Sequence, residues 1–146
     1  MKKMLSPLII SVFAVISQAA FAGTPEQARE MAEKAAEYLQ KNGEEKAFSA
    51  INDKSGPFHD GDVYVFVHDT TGLVKAHGGF PNYIGKNTVG ATDLDGKTFV
   101  KDITQVKDTG WIDYKWQDPQ TKAVAEKTVY VKRVNDLLIC AGAYKK

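Results

Sequence analysis

The stretch WIDYKWQDPQTKAVAEKTVYVKRVNDLLICAGAY, residues 111–144, contains strand-forming runs separated by short turns. Its β-branched and aromatic residues predict three strands, at 111–116, 126–134 and 137–144. The connections are too short to cross a sheet, so they can only join neighbouring strands that run in opposite directions. We therefore expect three consecutive antiparallel strands in the C-terminal part of the chain.

The sequence before these strands predicts a hairpin and a long helix. VYVFV at 63–67 is apolar on both faces, which is typical of a covered strand, and residues 73–77 return as its hairpin partner. Farther upstream, Thr24, Pro25 and Gln27 have the pattern of a capping box that begins a helix. The predicted fold class is α+β, with an antiparallel sheet of about five strands packed on a long N-terminal helix.

Three shorter segments connect these parts. Residues 44–51 and 99–106 are predicted to form short helices, because their apolar residues recur at helical spacing. Residues 78–92 contain four glycines, a proline and two asparagines, which indicates a loop.

The N-terminus has the three parts of a secretory signal. Lys2 and Lys3 precede an apolar run at 8–16, and Ala20-Phe21-Ala22 provides the small residues of a cleavage site. The apolar run is shorter than the roughly 20 residues that cross a bilayer. We therefore predict a signal peptide at 1–22, a single domain at 23–146 with no membrane span, and a periplasmic or secreted location.

Composition and motifs argue against several classes of function. The chain carries 19 Lys and Arg against 18 Asp and Glu, so its near-neutral charge predicts binding neither to nucleic acid nor to an anionic membrane. No GxSxG motif, no local Cys/His pair and no glycine-rich phosphate loop is present in the sequence. We therefore predict no catalytic residues, no enzyme activity and no cofactor.

The histidines and the cysteine are candidates for metal or redox sites. His59, His68 and His77 are evenly spaced, but no cysteine or HExxH pattern accompanies them, so no metal site is predicted. Cys140 is the only cysteine and lies in an apolar run. We interpret it as a small buried residue rather than a reactive thiol or an intermolecular disulfide.

Amphipathic aromatic residues are concentrated in and around the predicted sheet, together with a lysine and a histidine. Aromatic walls with a few polar groups are typical of a small-molecule pocket, and a cation beside a phenol hydroxyl suits a carboxylate ligand. The alternative is that most of these aromatic residues belong to the core. The candidate ligand-binding residues are Tyr64, His77, Trp111, Tyr114, Trp116, Lys127 and Tyr130.

Short motifs spread along the chain resemble one known family. They are INDKSG at 51–56, GDVYVFVHD at 61–69, AHGG at 76–79, IGKN at 84–87, DGK at 95–97, GWIDYKW at 110–116, EK at 126–127, YVKRV at 130–134 and GAY at 142–144. In this order they resemble the single Cache domain, type 2. The resemblance covers nearly all of the chain after the predicted signal peptide.

This resemblance implies a PAS-like antiparallel sheet packed on a long N-terminal helix, in an extracytoplasmic sensor domain. It also implies that a small organic acid or similar metabolite binds over one face of the sheet, beneath the loop at 78–92, with His77, Lys127 and Tyr130 at the matching positions. Lys127 and Tyr130 are three residues apart, so a regular strand directs them to opposite faces. Either a bulge lies between them or one of them is outside the pocket.

Two functions remain as expectations. The first is a soluble periplasmic domain that binds a small carboxylate. Because no membrane helix or signalling module follows Tyr144, any signal would pass through a partner such as a membrane sensor kinase or a chemoreceptor. The alternative is an accessory subunit that docks on a membrane sensor and whose pocket is vestigial.

Overall fold

The computed structural model describes residues 22–146, so the predicted signal peptide lies outside the described residues except for Ala22. None of the helices within 22–146 has both the length and the apolar character needed to cross a bilayer. The elements, in chain order, are α1 (Pro25–Asn42), α2 (Glu44–Asn52), β1 (His59–Asp60), β2 (Val63–Asp69), β3 (Val74–His77), a 3-10 helix (Pro81–Tyr83), α3 (Phe99–Thr104), β4 (Thr109–Gln117), β5 (Val124–Val134) and β6 (Leu137–Tyr144).

Helix α1 begins and ends as its sequence predicts. The Thr24 side chain accepts a hydrogen bond from the Gln27 amide, and the Gln27 side chain accepts one from the Thr24 amide, which completes the capping box. The helix ends at Gly43, whose φ of 82° lies in the left-handed region that glycine adopts at low cost. Helix α2 follows at once.

The sheet is antiparallel throughout, in the order β1-β2-β6-β5-β4, and β3 pairs with the same edge of β2 as β1 does. The three C-terminal strands pair consecutively, so the prediction for residues 111–144 is confirmed. The pairing of β2 with β6 joins residues 68–76 positions apart along the chain. It places β2 and β6 at the centre of the sheet.

The two faces of the sheet have different covers, because side chains alternate along each strand. One face, which includes Val65, Val67 and Ile139, packs against α1. Helix α1 presents a stripe of alanines, so its backbone comes close to the strands. The other face includes Tyr64, Phe66 and Val129 and is covered by α3 and the long segment between β3 and α3.

Several element boundaries differ from the predicted ones. Strand β5 begins at Val124 rather than at 126, because Val124 pairs with Gln117 and extends the ladder to the turn. Helix α3 ends at Thr104 rather than at 106. The two-residue strand β1 and the 3-10 helix Pro81–Tyr83 had no clear local signal, since each is held by neighbouring elements rather than by its own periodicity.

Candidate functional site

A small cavity of about 180 Å³ lies on the face of the sheet opposite α1. Its floor comes from β2, β4 and β5, and its cover comes from α3 and the segment after β3. Its lining residues are Tyr64, Phe66, His68, Val74, His77, Tyr83, Thr88, Ala91, Thr92, Phe99, Val100, Tyr114, Trp116 and Lys127. Larger depressions of about 480–540 Å³ open elsewhere on the surface, but no buried ionisable side chain lines them.

A β-bulge in β3 shapes one wall of the cavity. Phe66 pairs with His77 and His68 pairs with Val74, so β3 contains one residue more than the facing part of β2. The extra residue resets the alternation along β3. As a result, Val74 and His77 both reach the cavity although they are three positions apart.

Lys127 is the central charged residue of the site. Only 1% of the residue is exposed, and its Nζ lies 2.9 Å from Tyr64 Oη. The same Nζ lies 4.2 Å from the centroid of the Tyr64 ring and 4.9–5.1 Å from those of Phe66 and Tyr144. The stem reaches this position beside Gly142, where a Cβ atom would lie 2.6 Å from Lys127 Cε.

No carboxylate of the described residues lies within 4.0 Å of the Lys127 ammonium. Burial lowers the pKa of Lys127 to about 7, because a dry environment disfavours the charged form. The more distant carboxylates of Asp62 and Asp118 favour the charged amine and raise this pKa. Near neutral pH the cavity therefore holds a lysine that can gain or lose a proton.

A chain of hydrogen bonds leads from Lys127 to the edge of the sheet. Tyr144 Oη donates to the Gln117 carbonyl at 2.7 Å, so its oxygen is free to accept from Tyr64 Oη at 3.0 Å. Tyr64 in turn accepts from Lys127. These directions are mutually consistent, since each hydroxyl donates once and accepts once. Burial raises the pKa of both phenols, which keeps them neutral.

His77 is held in one orientation by the turn that follows it. Its Nδ1 accepts hydrogen bonds from the amides of Phe80 at 2.9 Å and Gly79 at 3.3 Å, and its own amide donates to Asn52 Oδ1. Burial, followed by the nearby Lys127, lowers the pKa of His77 well below its ordinary value. The neutral ring with an accepting Nδ1 must carry its proton on Nε2.

Tyr114 and Trp116 form an aromatic wall on β4. The Tyr114 ring stacks on Phe99 of α3, with centroids 4.1 Å apart and planes 14° apart. Trp116 meets Phe99, Phe80 and Tyr83 in edge or tilted contacts at 5.4–6.2 Å. The wall therefore joins the sheet to both parts of its cover.

The structure does not bring Trp111 or Tyr130 to this cavity. Both lie on the face towards α1, where Tyr130 Oη donates to Glu33 at 3.0 Å and the two rings meet at 5.2 Å. The pairing of β5 with β6 is continuous from Lys127 to Tyr130, so no bulge lies between them. Alternation alone therefore separates them, and Tyr130 contacts the N-terminal helix. Trp111 is 45% exposed.

The structure brings together five of the seven candidate residues, Tyr64, His77, Tyr114, Trp116 and Lys127. Sequence reasoning did not select Phe66 and His68, although both share the parity of Tyr64 along β2 and could have been found from it. His68 Nε2 lies 3.1 Å from Thr88 Oγ1, and its buried Nδ1 has no partner among residues 22–146. Burial lowers the pKa of His68 to about 4.

The structure also shows the surroundings of the histidines, the cysteine and the Asp93 turn. Within residues 22–146, no three His, Cys, Asp or Glu side chains are arranged to hold a metal ion. Cys140 is fully buried on the cavity side of β6, and burial raises the pKa of its thiol. The Asp93 carboxylate accepts hydrogen bonds from the amides of Asp95 and Lys97 and thereby closes a turn.

Comparison with known proteins gives one family match and several solved structures. The family Single Cache domain 2 matches residues 18–145. Among curated proteins, no sequence matches this chain. The crystal structure of a methyl-accepting chemotaxis protein from Vibrio parahaemolyticus is 20% identical with a TM-score of 0.71, over 82% of this chain and 86% of that chain.

Two further structures share the fold at similar identity. A periplasmic sensor domain of a chemotaxis protein is 20% identical with a TM-score of 0.66, over 83% of this chain and 90% of that chain. A structure described as the basis for carboxylic acid recognition by a Cache chemosensory domain is 18% identical with a TM-score of 0.73, over 83% and 92% of the two chains. The PAS-like α+β fold is thus confirmed.

Proposed function

This chain belongs to the Single Cache domain 2 family of ligand-binding sensor domains, and we propose that it is an extracytoplasmic receptor for a small monocarboxylate that binds beside Lys127. The observation that carries the proposal is the buried ammonium without a carboxylate partner among the described residues. A buried cation is costly unless it is paired. An anionic ligand supplies the missing charge.

The donors around the cavity suit one carboxylate group. Lys127 Nζ uses one of its three hydrogens on Tyr64, which leaves two for a ligand. His77 adds Nε2–H, because its Nδ1 is occupied by backbone amides. Each charged hydrogen bond contributes about 1.5–3 kcal/mol, so loss of one donor should weaken binding about tenfold or more.

The volume and the walls limit the rest of the ligand. A cavity of about 180 Å³ is close in size to one of about 150 Å³ that holds benzene, so the ligand has on the order of four to eight non-hydrogen atoms. Phe66, Phe99 and Val100 offer apolar surface and no second cation. This favours a short monocarboxylic acid over a dicarboxylate. The carboxylic acid recognition described for one structural neighbour supports the same class.

The test is a thermal-shift screen of short monocarboxylates, followed by calorimetry on the acids that stabilise the protein. A ligand at 100 times its dissociation constant adds about 2.7 kcal/mol of stability. Lys127→Met should bind at least tenfold more weakly, whereas Tyr130→Phe should bind like the parent, because Tyr130 faces α1. Equal affinity of Lys127→Met and the parent would contradict the proposed site.

The same screen addresses the alternative function. If no monocarboxylate binds the parent at millimolar concentration, the receptor proposal fails, and an accessory subunit with a vestigial pocket takes its place. In either case a signal would pass to a partner, for which a membrane chemoreceptor or sensor kinase is the proposed class.

A further inference from the structure

Two buried carboxylates, Asp62 and Asp118, lie together outside the cavity. Each is only 1% exposed. Lys146 Nζ lies between them, 3.0 Å from Asp62 Oδ2 and 2.9 Å from Asp118 Oδ2. Neither Oδ2 atom accepts a well-directed hydrogen bond from residues 22–146. The contact is therefore chiefly one of charge.

The other oxygen of each carboxylate is held by a backbone amide. Asp118 Oδ1 accepts from the amide of Gln120 at 2.8 Å, and Asp62 Oδ1 accepts from that of Gly23 at 2.9 Å. Burial acts to raise the pKa of Asp118, but Lys146 and the Gln120 amide outweigh it and hold the pKa below its ordinary value. Among the described residues, Lys146 is the one ammonium within 4.0 Å of the two carboxylates, and Lys127 interacts with them only from farther away, so the direct contacts lack one positive charge.

Gly23 is seated closely against the sheet, where a side chain would collide with Val63. A Cβ atom at this position would lie 2.0 Å from Val63 Cγ2 and 3.1 Å from Asp62 Oδ1. The same residue immediately follows Ala20-Phe21-Ala22, the predicted cleavage site. The atom that a signal peptidase would convert into the new N-terminus is therefore the atom that already contacts Asp62.

We propose that cleavage after Ala22 creates an α-ammonium at Gly23 that pairs with Asp62 and completes a cluster of two carboxylates and two ammonium groups. Water adds across the Ala22–Gly23 peptide bond. The leader leaves with a carboxylate on Ala22, and the Gly23 nitrogen gains protons to become an ammonium. The neutral amide hydrogen bond becomes a charge-assisted one, which is shorter and stronger. Removal of the leader thus stabilises the domain that it exported.

Intact-mass analysis of the exported protein first identifies its N-terminus. The experiment then compares two purified forms of the domain. One begins at Gly23, and the other retains Ala22, which keeps the charge but moves it by one residue, about 3.8 Å. The rate of amine acylation against pH gives the pKa of each α-amino group. We expect the pKa at Gly23 to exceed the ordinary value of about 7.7–8.0 by one unit or more, and the pKa at Ala22 to be ordinary.

Stability gives a second readout with a defined sign. A raised folded-state pKa contributes stability that is fully present below the unfolded pKa, near 8, and that is lost as pH rises through the folded pKa. At pH 7 the form that begins at Gly23 should unfold with an equilibrium constant at least tenfold smaller than the form that retains Ala22, and the two should converge at pH 10 or above. One pKa unit corresponds to this tenfold ratio.

Two substitutions assign the effect to the carboxylate. Asp62→Asn should return the α-amino pKa at Gly23 to its ordinary value, and Asp60→Asn, at a neighbouring exposed acid, should not. If Asp62→Asn does not fold, the comparison of the two N-terminal forms still tests the proposal, since both forms retain Asp62. An ordinary α-amino pKa at Gly23, equal stability of the two forms, or an exported N-terminus elsewhere overturns the proposal.

Discussion

Lys127 Nζ lies 2.9 Å from Tyr64 Oη, on the face of the sheet that turns away from α1. This contact joins a lysine on β5 to a phenol on β2 across the intervening strand β6. Tyr64 Oη donates in turn to Tyr144 Oη, so the three side chains hold one another in place. The ammonium keeps two hydrogens for a ligand, which makes its protonation state the main variable of the site.

Affinity for a monocarboxylate should depend on pH through Lys127. Its pKa in the free protein is about 7, and an anion raises it by favouring the protonated form. Affinity should be nearly constant between about pH 5 and 6, where the ligand is still a carboxylate, and fall by up to tenfold per pH unit above 7. His77 and Tyr64 also face this amine, but burial lowers the pKa of His77 and raises that of Tyr64, so neither titrates between pH 6 and 9.

Calorimetry in two buffers of different ionisation enthalpy measures this coupling directly. At pH 8 the complex should take up close to one proton per ligand bound. Affinity that stays the same from pH 6 to pH 9, with no proton uptake, would show that Lys127 does not pair with the ligand.

Stability of the ligand-free domain should increase when Lys127 is replaced by Met. The folded-state pKa of about 7 lies below the unfolded value of about 10.4, so the folded protein binds fewer protons over that interval and its stability rises with pH. Lys127→Met removes the free-energy cost of burying an ionisable amine. It should therefore stabilise by on the order of 2–4 kcal/mol at pH 6, and by much less at pH 10.

Urea unfolding at the two pH values measures the difference. Lys132→Met is the matched control on the same strand, because Lys132 is partly exposed and pairs with Asp108 at the surface. Its effect should stay within about 1 kcal/mol. A Lys127→Met variant that is destabilised by the same amount at pH 6 and pH 10 would contradict the assigned burial cost.

Fluorescence should report ligand binding through Trp116 alone. The chain has two tryptophans. Trp116 lines the cavity, whereas Trp111 lies on the face towards α1 and is 45% exposed. A ligand that changes the emission of the parent should change it equally in Trp111→Phe and not at all in Trp116→Phe. A response that disappears with Trp111 instead would place the ligand elsewhere.

Gly142→Ala should disrupt the site from behind the lysine. The added Cβ would lie 2.6 Å from Lys127 Cε and 2.8 Å from the Thr128 carbonyl, and the carbonyl cannot move without breaking the ladder. We expect a loss of about 1–3 kcal/mol from overpacking, with binding weakened tenfold or more. Thermal unfolding and calorimetry measure both effects.

Gly90→Ala is the control for that substitution. Nothing lies within 4 Å of a Cβ placed at Gly90, so this variant should keep the stability and the affinity of the parent. Equal behaviour of the two alanine variants would mean that Lys127 does not need the space beside Gly142.

The strands and the main helix could be predicted from sequence because their signals are local. Turn residues between two apolar runs limit them to antiparallel neighbours, and the capping box at Thr24 needs only Gln27 three residues later. Alternation likewise predicted opposite faces for Lys127 and Tyr130 on a regular strand, and the continuous pairing of β5 with β6 excluded the alternative of a bulge between them. Alternation could not specify which face holds the cavity, because that depends on where α1 packs.

Contacts between residues far apart in sequence determined which side chains meet in the cavity. The pairing of β2 with β6 brings Tyr64 and Tyr144 to Lys127, and no local pattern encodes a contact 63 or 80 residues away. The burial that lowers the pKa of Lys127 is likewise a property of the assembled environment. Local sequence specifies conformation and side-chain parity. The energy of a charge depends on which dipoles and ions surround it in space, and these are known only once the chain has folded.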